Sequence, residues 1–229
     1  METKTVPGKK RKIRWFRVGV IVCILIIAVN ALINSKWLRE STTNRRIPVP
    51  DEWNLIVVNR WNEIPKDYSV ELTELQNGLK VDVRIYPYLQ KMLDAAAEDG
   101  VYAVVGEGYR TAEEQKALFD DKILAFMNEG FPRKKAEEMA KEWVAVPGTS
   151  EHQLGIAVDI NADKSLSDNE DVYQWLADNA YKYGFILRYP QWKTDITGNG
   201  YEPWHYRYVG EEAAREIFER GICLEEYLT

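Results

Sequence analysis

Ser150-Glu-His-Gln-Leu-Gly-Ile-Ala-Val-Asp-Ile160 opens on turn-forming residues and closes as a strand. Gly155 permits a tight entry, after which Ile156, Val158 and Ile160 point to one face and Ala157 and Asp159 to the other, because side chains alternate along a strand. The Ile-Val-Ile face belongs against a core. The opposite face then projects a carboxylate beside a small residue, with His152 returning over it from the loop. One imidazole nitrogen and one carboxylate oxygen on the same side make half of a catalytic zinc site. Taken alone, the segment reads equally well as a capped turn with a surface aspartate.

Working outward, helices and short strands interleave without a regular βαβ beat. Toward the N-terminus, Val101 to Val105 reads as a buried strand. Thr111-Ala-Glu-Glu114 is a capping-box pattern opening a helix that carries Leu118, Phe119, Ile123 and Phe126 and is closed by Gly130. Pro132 opens another helix running to about Trp143, and Val146 to Gly155 is a loop. Earlier still, Leu55-Ile-Val-Val58 looks like a short strand, and Val70 to Val83 supplies one or two more around an Asn77-Gly78 turn. A helix follows from Pro87, with Leu89, Met92, Leu93 and Ala96 at helical spacing, ending near Gly100. Toward the C-terminus come a helix Val172 to Tyr183 ending at Gly184, a strand Phe185 to Leu187, a strand His205 to Val209 and a last helix Glu211 to Arg220 stopped by Gly221. The expected class is α+β, a mainly antiparallel sheet flanked by helices.

The chain has only two histidines. The second lies in Glu202-Pro-Trp-His205, where Pro203 excludes a helix interior. A bend leading into a strand lets Glu202 and His205 reach one cleft from adjacent points. His205 would complete a two-His, one-Asp set with an open fourth position, and Glu202, free of the metal, would take a proton from water there. The bland alternative is an aromatic strand with a satisfied core histidine.

The overall charge of −6 hides an asymmetry. Residues 1–36 hold eight lysines and arginines against the single acid Glu2, a net +7, which leaves −13 for the rest. An acidic body argues against a nucleic-acid partner. The basic cluster precedes an uncharged apolar run, Val18 to Ile33, bracketed by Trp15 and Trp37. Positive charge before an apolar run keeps the N-terminus cytoplasmic and sends the remainder across the membrane. The expected organisation is a cytoplasmic basic tail (1–17), a transmembrane signal-anchor (18–36), a stalk (37–53) and a catalytic domain (54–229). It places a single-pass protein in the cell membrane with its catalytic domain outside. A cleaved signal peptide stays open as the alternative, because the run falls short of the roughly 20 residues that span a bilayer. Cys23 lies in that run and Cys223 far from it, so no intramolecular disulfide is expected, and Cys223 reads as a small buried hydrophobe.

Ser150, His152, Gly155, Ala157 and Asp159 match Ser-x-His-x-x-Gly-x-Ala-x-Asp in full, and Glu202 and His205 match Glu-x-x-His. With Tyr183-Gly-Phe-Ile-Leu-Arg-Tyr-Pro190 and Glu202-Pro-Trp-His-Tyr-Arg-Tyr-Val-Gly210, these residues resemble the zinc D,D-carboxypeptidases of the VanY type, within the LAS group. The likeness covers about Leu55 to Leu228. It implies a Hedgehog/DD-peptidase-like fold, a Zn2+ cofactor on His152, Asp159 and His205, Glu202 as catalytic base, and a peptidoglycan stem peptide as substrate. It also implies that Arg110, in Gly108-Tyr109-Arg110, stabilises the oxyanion formed when water attacks the peptide carbonyl, and that Gln115 and Ser150 hold substrate. Glu107 departs from the serine that many relatives carry before Gly-Tyr-Arg. It can pair with Arg110 or tune which C-terminal residue is accepted.

The implied activity is removal of the C-terminal D-Ala from pentapeptide stems, which would lower the supply of the dipeptide that glycopeptide antibiotics bind. The same metal site would serve an L,D-carboxypeptidase or an endopeptidase. A zinc-bearing wall-binding module without activity is the rival from another class; a free base at Glu202 and a cation at Arg110 argue against it.

Overall fold

Val158 and Ile160 bury completely because their strand, β4 (Ala157–Ala162), lies inside a four-stranded antiparallel sheet. The strand order is β3 (Ala103–Glu107), β4, β6 (His205–Tyr208), β5 (Phe185–Leu187). The structure, a computed structural model, describes residue 47, residues 49–50 and residues 52–229. The expected basic tail, signal-anchor and most of the stalk lie outside them, as does Cys23. Among the described residues no helix is long and apolar enough to cross a membrane.

The alternation read from the sequence organises the sheet. Ile156, Val158 and Ile160 join Tyr206, Tyr208 and Phe185 in the main core, with Leu89 and Met92 of α1 (Tyr86–Glu98) and Val172 and Leu176 of α4 (Asn169–Asn179). The opposite face of β4 and β6 carries Ala157, Asp159, His205 and Arg207, and the register sets Asp159 across from His205 and Ala157 across from Arg207. Directly opposed residues on one sheet face lie about 5 Å apart at Cβ, so pairing alone delivers two candidate ligands to one spot.

Two further clusters frame that face. Val57, Ile186, Val209, Ala213, Ala214, Ile217 and Leu224 pack α6 (Glu211–Arg220), which follows the short α5 (Thr194–Thr197) in the chain, against the β5 edge. Ile123, Phe126, Ala136 and Ala140 hold α2 (Ala112–Asn128) to α3 (Arg133–Ala140). The expected capping box at Thr111 and Glu114 opens α2. The Asn77-Gly78 turn joins β1 (Leu72–Glu74) to β2 (Lys80–Asp82), with Gly78 at φ 84°.

Several expectations need correction. Leu55 to Val58 forms no strand although Ile56, Val57 and Val58 are buried, because the carbonyls of Asn54 and Ile56 are taken by the Arg207 guanidinium rather than by a neighbouring strand. β3 starts two residues later than expected and lies at the sheet edge; only Val105 is buried there, and Val104 faces solvent. Leu118 is likewise exposed. α3 ends at Ala140, short of Trp143. The loop before β4 holds a 3-10 turn, Glu151–Leu154, and the helix expected to reach Tyr183 passes into a second 3-10 turn, Ala180–Tyr183. Nor is α6 the last helix, since α7 (Leu224–Tyr227) follows. Cys223 is buried as expected, and burial pushes its thiol up to about 12.

Candidate metal centre and active site

The candidate site is built on the polar face of β4 and β6 by three pieces of irregular backbone. The 3-10 turn Glu151–Leu154 brings His152 over Asp159, with Nε2 of His152 3.4 Å from Oδ1. The bend Glu202 to His205, closed by the His205 amide donating to the Glu202 carbonyl, brings Glu202 beside β6. Its Oε2 lies 3.9 Å from Nδ1 of His205, which is itself 2.9 Å from Oδ1 of Asp159. The segment Gly108-Tyr109-Arg110 supplies the third piece. Tyr109 donates to the Lys80 carbonyl, Arg110 donates to the His152 carbonyl, and the Gly108 carbonyl lies 2.9 Å from Nδ1 of His152. Gly108 allows this approach: a Cβ there would run into the Lys80 carbonyl oxygen.

His152, Asp159 and His205 each offer one ligand atom, and these atoms all lie within 4.8 Å of one another. The rings of the two histidines are perpendicular, with centroids 4.9 Å apart. Each imidazole keeps its second nitrogen occupied. Nδ1 of His152 meets the Gly108 carbonyl, and Nε2 of His205 lies 3.4 Å from Oε2 of Glu151. Such outer contacts set the tautomer and orient the ring of a ligating histidine. Two nitrogens and one carboxylate oxygen converging from a turn and two strands, with room beside them, form the donor set of an open zinc site.

The electrostatics fit a cation. Burial opposes the charge on Asp159, but hydrogen bonds from His152 and His205 outweigh it and hold the carboxyl well below its usual range. Burial likewise opposes protonation of His205, yet Asp159 and Glu151 raise it to about 9, so the metal-free site attracts positive charge where the three donors meet. Glu202 behaves oppositely. Burial, aided by Asp159 and Glu151, raises its carboxyl above the ordinary value against the pull of His205, which suits a group that takes and returns a proton.

A cavity of about 300 Å³ opens over this centre. Arg110, Gln115, Ser150, His152, Asp159, Glu202 and His205 line it together, and Leu118, Trp143 and Val144 form an apolar wall. Gln115 is buried rather than solvated. It accepts from Nη1 of Arg110 at 2.7 Å and donates to the Ala145 carbonyl at 2.6 Å. Glu107 does not line the cavity; it pairs with Nη2 of Arg110 at 3.2 Å.

Comparison with known proteins follows the same residues. A family model described as VanY, D-alanyl-D-alanine carboxypeptidase, matches residues 78–211, more than half of the chain. The chain belongs to the VanY family. Among curated relatives of this VanY-family chain, a D-alanyl-D-alanine carboxypeptidase of Enterococcus faecalis is 57% identical over 177 residues, covering 77% of this chain and 66% of that protein. A putative carboxypeptidase of Bacillus subtilis, YodJ, is 43% identical over 145 residues, covering 61% of this chain and 50% of that protein. The chain thus spans between half and two thirds of the length of these relatives. Among solved structures, a VanY D,D-pentapeptidase from a VanB-type vancomycin resistance cassette, in complex with Zn(II), is 57% identical with a TM-score of 0.74. It is covered completely by 78% of this chain. The LD-carboxypeptidase LdcB is 36% identical with a TM-score of 0.63, covering 80% of this chain and 92% of that one.

Sequence reasoning missed the support behind this VanY-family site. Glu151 is buried, and its Oε1 accepts from Nε of Arg188 at 2.7 Å and Nη1 of Arg207 at 2.8 Å. Arg188 continues to Glu225 of α7, which also accepts from Asn59. Burial opposes ionisation of Glu151, but the two arginines outweigh it and hold the carboxyl well below its usual range. Tyr189 stacks at a tilt on His205, its ring centroid 4.9 Å away. One signal was available: Arg207 falls between two tyrosines in the expected strand His205 to Val209, and an arginine buried among aromatic residues requires a partner.

Proposed function

We propose that this chain is a zinc-dependent D,D-carboxypeptidase that removes the C-terminal D-Ala from peptidoglycan pentapeptide stems. The observation that carries the reading is the convergence of ligand atoms of His152, Asp159 and His205 within 4.8 Å, with the carboxylate of Glu202 beside that set, 3.9 Å from His205. A purely structural zinc site needs neither an open side nor a base beside it. Family membership and the 57% identity to a zinc-bound VanY enzyme support the reading.

His152, Asp159 and His205 would hold a zinc ion, whose Lewis acidity would polarise the scissile carbonyl and make water acidic enough to deprotonate near neutral pH. The chain's own groups do the rest. An oxygen of the Glu202 carboxylate takes the proton of the attacking water and hands it to the departing D-Ala amine. The Glu202 side chain is only partly exposed, which raises its carboxyl and favours its holding a proton between the two steps. The Arg110 guanidinium, permanently charged and anchored by Gln115, supports the negative charge growing on the carbonyl oxygen. Ser150, nearly buried in the cavity wall, and Gln115 are placed to hold the terminal residue.

Location belongs to the same proposal. The basic N-terminus and apolar run Val18 to Ile33 would anchor the protein in the cell membrane by one span and present the catalytic domain outside, where peptidoglycan lies. Trimming terminal D-Ala there would contribute to glycopeptide resistance, the setting of the VanB-cassette relative. The similarity to LdcB supports a second reading, an L,D-carboxypeptidase acting on tetrapeptides.

Incubating the zinc-loaded protein with pentapeptide and tetrapeptide stems and identifying the released amino acid separates the two. Release of D-Ala from the pentapeptide supports the first reading; release from the tetrapeptide alone supports the second. Hydrolysis of neither while zinc is bound would leave a binding module. Protease accessibility in whole cells before and after membrane disruption tests the topology.

A further inference from the structure

The two ends of the Arg110 guanidinium are held very differently. Nη1 meets Oε1 of the buried Gln115 at 2.7 Å, and the Gln115 amide is tied to the Ala145 carbonyl. Nη2 faces Oε2 of Glu107 at 3.2 Å in a pair whose acid is 37% exposed. The Gln115 side already fixes the guanidinium, so the Glu107 contact is the one that can be exchanged for another anion.

Glu107 owes its place to an irregularity in the sheet. The β3–β4 register passes from Val105 opposite Ile160 to Glu107 opposite Asp159, with Gly106 left between them as a bulge. A bulge re-aims the side chain that follows it. Gly106 has little room for a larger residue, since a Cβ there would lie 3.1 Å from Nδ2 of Asn161. The result sets Glu107 across the strands from Asp159, two acids facing each other, and like charges directly opposed are unfavourable. Arg110 offsets that repulsion at Nη2.

A substrate ending in a free carboxylate brings one more negative charge to this place. We infer that Glu107 is a resident counter-anion that the terminal carboxylate of the substrate must displace from Nη2 of Arg110, which makes it a specificity-determining residue. The inference rests on the carboxypeptidase reading, in which the scissile bond lies one residue from that carboxylate. The guanidinium has five N–H donors, enough to serve the terminal carboxylate at one edge and the carbonyl oxygen at another. Glu107 then sets a threshold: it weakens binding of every carboxylate-terminated peptide and leaves peptides with a neutral terminus unaffected.

The experiment measures binding to the zinc-loaded protein by calorimetry, using D-Ala-D-Ala and the same dipeptide capped as its C-terminal amide. A partly exposed ion pair is worth up to about 1 kcal/mol, so Glu107→Gln should tighten binding of the free acid by about five-fold. The Kd of the amide should move by less than about two-fold on the same scale. Glu107→Ala should reproduce both results, which separates charge from hydrogen bonding, and unchanged thermal unfolding confirms that the fold is intact. Weaker or unchanged binding of the acid overturns the inference, as does an equal gain by the amide or failure of the wild type to bind the acid. If the wild type binds the acid but releases no D-Ala from any stem, the carboxypeptidase reading fails while the binding result still decides the role of Glu107.

Discussion

Replacing Glu151 by glutamine removes one charge from the middle of a buried network while nearly preserving its shape. Arg188 and Arg207 are fully buried cations, and Glu151 and Glu225 are the anions that balance them. In Glu151→Gln, the amide oxygen can still accept from both arginines but carries no charge, which leaves Arg207 with neutral partners alone, including the carbonyls of Tyr208, Asn54 and Ile56, and Arg188 with Glu225 as its acid. Two charge-assisted hydrogen bonds, at 2.7 and 2.8 Å, fall to roughly half their strength. A buried positive charge is also left uncompensated, and breaking a buried pair in this way costs about 3–5 kcal/mol. That is a large share of the roughly 5–15 kcal/mol that holds a typical domain folded.

The same substitution loosens His205, whose Nε2 faces Oε2 of Glu151 at 3.4 Å. Losing the partner of a ligating histidine costs about 10–100-fold in metal affinity. Urea unfolding of the metal-free protein measures the first effect, and zinc competition against a chromogenic chelator measures the second. Acidification supplies a check of sign. Folding lowers the carboxyl of Glu151, so its contribution is complete above an unfolded value of about 4.3 and is lost as pH falls through the folded one. The stability gap between wild type and variant should therefore close on the acid side. Glu225→Gln is the control: it should destabilise comparably while shifting metal affinity less, because it reaches His205 only through Arg188 and Glu151. A Glu151→Gln protein within about 1 kcal/mol of wild type and with undiminished zinc affinity would refute the reasoning.

Other substitutions probe the remaining parts. Glu202→Gln should lower kcat/KM by about 10²–10⁴-fold while zinc still binds, since it removes the proton acceptor and no ligand; peptide hydrolysis and equilibrium dialysis together check it. Chelation of the metal should abolish hydrolysis and added zinc should restore it, whereas His152→Ala should bind zinc too weakly to be rescued at stoichiometric metal. Gly108→Ala should lower stability by about 1–3 kcal/mol, because the new Cβ meets the Lys80 backbone and not a movable side chain; thermal unfolding reads this directly. Gln115→Ala should cut kcat/KM through Arg110, which loses its inner anchor, and steady-state kinetics would expose an unaffected enzyme as a contradiction.

Much of the candidate site was legible because the residues that meet are either close in sequence or aligned by strand alternation. Ile156, Val158 and Ile160 on one face implied Asp159 on the other, and the bend before the strand at His205 put Glu202 and His205 at one cleft. The supports were hidden for the converse reason. Glu151 meets Arg188 and Arg207, and Arg188 meets Glu225, only after β5 and β6 pair and α7 docks, contacts set by tertiary register that no local pattern encodes. Leu55 to Val58 misled because β-branched residues signal an extended, buried chain without saying whether a strand or a side chain will satisfy its carbonyls. Val101 to Val105 misled because an apolar run does not reveal whether its strand lies inside the sheet or at the edge.

The salt-bridge relay from Glu225 to His205 also imposes an order of assembly. Glu225 follows His205 in the chain, so a polypeptide made only as far as β6 holds every candidate ligand while Arg188 and Arg207 share the single acid Glu151. Until α7 docks, two buried arginines draw on one carboxylate, the same one that Nε2 of His205 faces. A hydrolase of this build would remain silent as a nascent polypeptide and mature in one late step.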